Sequence, residues 1–162
     1  MIPVLAVHER IGYWGRHLRS RLADRTIRIV ETRSTADLER ALKGTATPLI
    51  LIDLGKRVSA GLSDLVSALH VAPDAMVLVT DPQSLEGVSL FAREFGATHI
   101  LSGPVTPIEV LDVMTRWLSI IQERSKFSGW AASSPDSSES EPWNWLVTHL
   151  QTSSTGQRTA GN

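Results

Sequence analysis

The run Leu49-Ile50-Leu51-Ile52 is apolar on both faces and stops at Asp53. A strand that alternated inside and outside would alternate apolar and polar residues. A strand with no polar face must be covered on both sides, which is the situation of an inner strand in a parallel sheet. Open α/β sheets place their ligands at the carboxyl ends of such strands. Asp53 therefore reads as a candidate for chemistry, against the plainer reading of a strand leaving the core through a solvated acid.

The rest of the first 126 residues repeats the same unit. Short apolar strands read at Ile2 to Val7, Thr26 to Glu31, Pro48 to Asp53, Ala75 to Thr80 and Thr98 to Leu101. Helical patterns lie between them. Trp14, Leu18 and Leu22 share one face of 12–22, and Ser34 or Thr35 caps a helix that Gly44 ends. Leu62 to Leu69 and Ser84 to Phe95 read as helices, and Pro107 opens the longest one through Ile121. Alternating strands and helices predict a doubly wound parallel sheet, and right-handed crossovers leave few topologies. The expected fold is a flavodoxin-like α/β domain with five strands in the order 2-1-3-4-5 over 1–126.

Composition changes near Phe127. Residues 127–162 form a Ser-rich tail that cannot bury enough apolar area to offset chain ordering, so it is expected to be flexible. Within it, Trp143, Leu146 and Leu150 share a helical face with Trp145 beside them. They predict a short helix about 142–150 that docks on a partner or on the chain's own domain. The tail acids Asp136, Glu139 and Glu141 are complementary to the arginines at 16, 19, 21, 25, 28 and 33, which otherwise read as a solvated face.

Several function classes drop out. The chain has no cysteine, so disulfides, thiolate nucleophiles and cysteine metal sites are excluded. A net charge of -1 argues against nucleic acid as a bulk electrostatic partner. No apolar stretch nears the ~20 residues of a membrane span, and no leader-like segment opens the chain, so it is read as cytoplasmic. It lacks a Gly-rich phosphate loop and a G-x-S-x-G elbow.

Three stretches carry a resemblance. Pro48 to Leu54, Met76 to Thr80, and Ala92 to Ala97 followed by Thr98 to Leu101 resemble, in order and spacing, the receiver domain of two-component response regulators. The resemblance implies Asp53 as phosphoacceptor and Thr80 as the hydroxyl that meets the phosphoryl group. It also implies an acidic pair after strand 1 that holds Mg²⁺, and a Lys after strand 5 that neutralises developing charge.

The chain departs from that pattern. The pair is His8-Glu9, so Glu9 and Asp53 are the only metal ligands in prospect. Gly103-Pro104 stands where the family has Lys-Pro, and its peptide bond is a candidate for cis. Asp81 replaces a small residue beside the pocket, and Ile100 stands where an aromatic is common. His8 either pairs with Asp53 or Asp81 or is satisfied by backbone. Asp53 and Asp81, if they converge, are expected to titrate as a coupled pair.

The expected function is a degenerate, non-enzymatic receiver-like domain with little or no phosphoryl transfer and at most weakly bound Mg²⁺. It would act through protein contacts, with a histidine kinase, a downstream effector or a second copy as partner. The alternatives are a phosphorylatable regulator with a rebuilt pocket and a small flavodoxin-like ligand-binding domain.

Overall fold

The computed structural model describes the backbone of residues 2–131 and the side chains of residues 2–124. The elements alternate as expected: β1 (Val4–His8), α1 (Tyr13–Arg21), β2 (Arg28–Thr32), α2 (Thr35–Leu42), β3 (Leu49–Asp53), α3 (Val58–Val71), β4 (Met76–Asp81), α4 (Val88–Glu94), β5 (His99–Ser102) and α5 (Pro107–Ala131). All strands pair in parallel in the order β2-β1-β3-β4-β5. The compact unit ends at Arg124. α5 continues to Ala131, past the composition change at Phe127. The docking residues Trp143, Trp145, Leu146 and Leu150 lie outside the described residues. Among the described residues, no helix is long and apolar enough to cross a membrane.

Strand parity divides the core into two. Ala6, Ile50, Ile52, Val77 and Val79 face α2, α3 and α4. Leu5, Val7, Leu49, Leu51 and Leu78 face α1 and α5 with Trp14, Leu18, Val110, Met114 and Trp117. Successive strand side chains point to opposite faces, so this division also decides where polar residues at the strand ends go. Glu9, Asp53 and Thr80 have the parity of the α1/α5 face. His8 and Asp81 have the parity of the α2–α4 face.

Two helices begin where the periodicity did not place them. α3 starts at Val58, four residues early, and packs so closely on the chain after β3 that a Cβ at Gly61 would lie 2.5 Å from Leu54 Cδ2. α4 starts at Val88, four residues late. The intervening chain is a loop tied to Asp81, whose carboxylate accepts from the N–H groups of Gln83 and Leu85 at 3.2 and 3.1 Å. Ser84 and Gly87 take positive φ values of 50° and 79°, which a helix cannot contain. No cis peptide occurs among the described residues, so Gly103-Pro104 is trans.

Candidate functional site at the carboxyl edge of the sheet

Asp53 ends β3, and the β3–β4 register sets it opposite Thr80. Thr80 Oγ1 donates to Asp53 Oδ1 at 2.8 Å. Thr80 is buried and Asp53 half-buried, so the carboxylate keeps a face toward solvent. That face borders an open cleft of about 750 Å³, lined among others by Tyr13, Trp14, Lys56, Gln83 and Pro104. Lys56 and Arg57 follow Asp53 by three and four residues, and Arg57 and Arg10 line a second, narrow cleft on its other side. Sequence reasoning missed these cations. Their signal was the Lys56-Arg57 pair close behind the acceptor strand.

Glu9, expected as a metal ligand, has another role. It is 2% exposed, and its two oxygens accept from the backbone N–H groups of Trp14 (2.9 Å) and Gly15 (2.6 Å). These are orphan donors of the first turn of α1, whose flanking Gly12 supplies no side-chain cap. An anionic acceptor there satisfies two donors and complements the helix dipole. The glutamate thus holds α1 against the sheet.

His8 pairs with neither Asp53 nor Asp81, and its ring is not satisfied by backbone. It turns to the other face, where Nε2 lies 3.0 Å from Asp64 Oδ2 and Nδ1 lies 3.0 Å from Thr32 Oγ1. An ionised carboxylate can only accept, so Nε2 carries the proton in this pair. Thr35 Oγ1 donates to the second oxygen of Asp64 at 2.5 Å. The network ties β1, β2, α2 and α3 together, and among the described residues no buried side-chain N or O lacks a partner. Asp64 was not foreseen. It falls on the buried stripe Gly61, Asp64, Leu65 and Ala68, at i, i+3, i+4 and i+7. A carboxylate on such a stripe requires a buried partner, and that was the available signal.

Asp81 is fully buried, but on the face opposite Asp53, where it caps the loop before α4. The two carboxylates therefore do not converge as a pair. Gly103 has φ 86°, and its N–H donates to Asp81 O at 2.9 Å. A side chain at this position would be strained by that backbone conformation, so the turn itself disfavours a lysine here. Ile100 is buried in the core.

Of the two acids expected to hold Mg²⁺, Glu9 has both oxygens engaged by α1, and Asp53 alone keeps a side toward solvent. Mg²⁺ demands octahedral oxygen ligation and keeps several of its waters. The narrow cleft bordered by His8, Glu9, Asp53 and Asp64 encloses about 10 Å³, roughly the room one water needs. Among the described residues, no group of three His, Asp or Glu side chains is arranged to hold an ion.

Solved structures share this architecture. A response regulator protein from Burkholderia pseudomallei, solved with a phosphorylated aspartic acid, calcium ion and citrate, matches with a TM-score of 0.58 at 18% identity, over 94% of this chain and 86% of its own. A CheY-like response regulator receiver domain protein from Methanospirillum hungatei matches with 0.64 at 14% identity, over 76% and 99%. The receiver domain of the TMAO respiratory system response regulator TorR matches with 0.60 at 19% identity, over 73% and 98%. The chain thus has the receiver-domain fold. No protein-family model and no curated protein matches the sequence.

Proposed function

We propose that this chain is a receiver-fold signalling module that works through protein contacts, without enzymatic activity and with little or no phosphoryl transfer at Asp53. One observation carries the reading: both oxygens of Glu9 accept backbone N–H groups of α1, which withdraws the one remaining acid of the metal pair. Gly103 adds to it, because no lysine stands after β5 to meet a transferring phosphoryl group. Loss of one preorganised charge contact costs on the order of 10²–10³ in rate. The partner in this reading is another signalling protein, a kinase or an effector, that recognises the surface of the fold.

A second reading, a phosphorylatable regulator with a rebuilt pocket, is favoured by the retained Thr80–Asp53 hydrogen bond and by Lys56 on the same cleft. One experiment separates the two. The protein is incubated with Mg²⁺ and a small acyl phosphate, and intact mass is followed over time. The first reading expects no gain of a phosphoryl group, or a slow one indifferent to Mg²⁺. A rapid Mg²⁺-dependent gain, absent in Asp53→Asn, would establish the second.

A further inference from the structure

Charge is unevenly placed along this chain. Through Lys43 it carries nine Lys and Arg against five Asp and Glu, although the whole chain has a net charge of -1. The fold gathers much of that excess at one place, the open edge of β2. Among the described residues, this strand pairs only with β1. A hollow of about 460 Å³ on its α2 side is lined by Arg28, Arg40 and Lys43. A second, of about 360 Å³ on its α1 side, is lined by Arg16, Arg19 and Arg33.

The acids in these hollows are already engaged. Arg19 holds Glu31 at 2.8 Å and Arg40 holds Asp37 at 2.8 Å. Gly15 lets Glu31 lie against α1, since a Cβ there would come within 2.5 Å of Glu31 Cδ. Arg16, Arg28, Arg33 and Lys43 have no ion-pair partner among the described residues.

The backbone adds direction. Arg28 N–H donates to Pro3 O at 2.9 Å, and Thr32 O accepts from Glu9 N–H at 3.2 Å. Residues 28 and 32 thus face β1, and by alternation the N–H and C=O groups of Ile29 and Glu31 face outward, with no ladder partner among the described residues.

The geometry points to β2 as the docking edge for an extended acidic segment of a partner protein, added as a sixth strand. Main-chain bonds to Ile29 and Glu31 would hold the segment, and the two hollows would read its side chains. Successive side chains of an added strand go to opposite faces, and both faces here are basic. The segment selected is therefore a run of consecutive Asp and Glu, not an acidic residue at every second position. This goes beyond the proposed function and is independent of the acceptor site, so variants of Asp53 leave it unchanged.

The test uses the full chain with a fluorescein-labelled polyglutamate peptide. The control is an alternating Glu-Lys peptide of equal length, and amide hydrogen exchange is read by NMR. The expected result is saturable, salt-sensitive binding of polyglutamate, weaker binding of the control, and slowed exchange at Ile29 and Glu31. The double variant Arg28→Glu/Arg33→Glu should lose about tenfold or more in affinity, as reversed exposed ion pairs predict. The exchange measurement on the unmodified protein stands if that variant does not fold. Absent binding, protection away from β2, equal binding of the two peptides, or tighter binding of a single-stranded RNA of equal charge would each overturn the proposal.

Discussion

The two halves of the sheet's carboxyl edge use their polar residues in opposite ways. At β3 and β4, Asp53 and Thr80 face each other across the register and share a hydrogen bond beside an open cleft. At β1, the polar residues are absorbed into the fold: Glu9 holds the start of α1, and His8 closes a buried network with Thr32 and Asp64. The difference teaches that a strand-end carboxylate is not functional by position alone. Where it accepts from orphaned helix donors it contributes stability; where it meets one hydroxyl and solvent it remains available for chemistry. The comparison implies that substitutions on the β1 side should cost stability and those on the β3–β4 side should cost little.

The largest effect is expected at His8. His8→Ala leaves the buried Asp64 carboxylate with only Thr35 as partner, and taking the donor from a buried charged acceptor costs about 3 kcal/mol. Urea unfolding of the variant should show the loss directly. A double replacement of His8 and Asp64 by apolar residues should recover part of it, since neither group is then left unpaired. A fall of less than ~1 kcal/mol, the range of exposed pairs, would show that the network is solvated.

Glu9→Ala comes next. It strips the acceptor from two buried N–H groups and removes the charge at the helix start, with an expected loss of roughly 2 kcal/mol. Amide exchange at Trp14 and Gly15 should accelerate more than exchange at the centre of α5. Uniform acceleration throughout the domain would contradict a local role.

Smaller changes belong to the other half. Thr80→Val and Asp53→Asn each weaken one hydrogen bond, worth about 1 kcal/mol, at a site open to solvent on one side. If either variant unfolds at lower urea than Glu9→Ala, the division between the two halves fails.

The smallest effect concerns pH, at the start of α5. Thr106 N–H and hydroxyl donate to Glu109 Oε2, and these bonds, the backbone one first, hold the Glu109 carboxyl below its ordinary 4.5. A carboxyl depressed in the folded state stabilises above its unfolded pKa, and that contribution is lost as pH falls through the folded value. Any contribution from Glu109 should therefore be full above about pH 5 and fade below it. In a carboxyl-carbon NMR titration its midpoint should lie below 4.5 and rise in Thr106→Ala.

The fold was legible because its strands are written as continuous apolar runs, and because glycines and prolines punctuate the units. Strand boundaries moved by only one or two residues, whereas α3 and α4 moved by four. A buried loop cap such as Asp81 looks, in sequence, like one more helix start. At the site, Asp53 and Thr80 were legible because neighbouring parallel strands bring their carboxyl ends together. The fate of His8 was not, since its partners Thr32 and Asp64 lie 24 and 56 residues away. Strand parity, which sends residues 8 and 9 to opposite faces, was available from the alternation of Leu5, Ala6 and Val7, but all three are apolar and hide it.

The central claim, that the β1 side is a structural anchor and not a metal site, is tested most directly by a Mg²⁺ titration followed in amide NMR. The account predicts that millimolar Mg²⁺ leaves the Trp14, Gly15 and Asp53 amides unshifted beyond an ionic-strength control with Na⁺. Saturable, Mg²⁺-specific shifts at all three, abolished by Glu9→Gln, would contradict it.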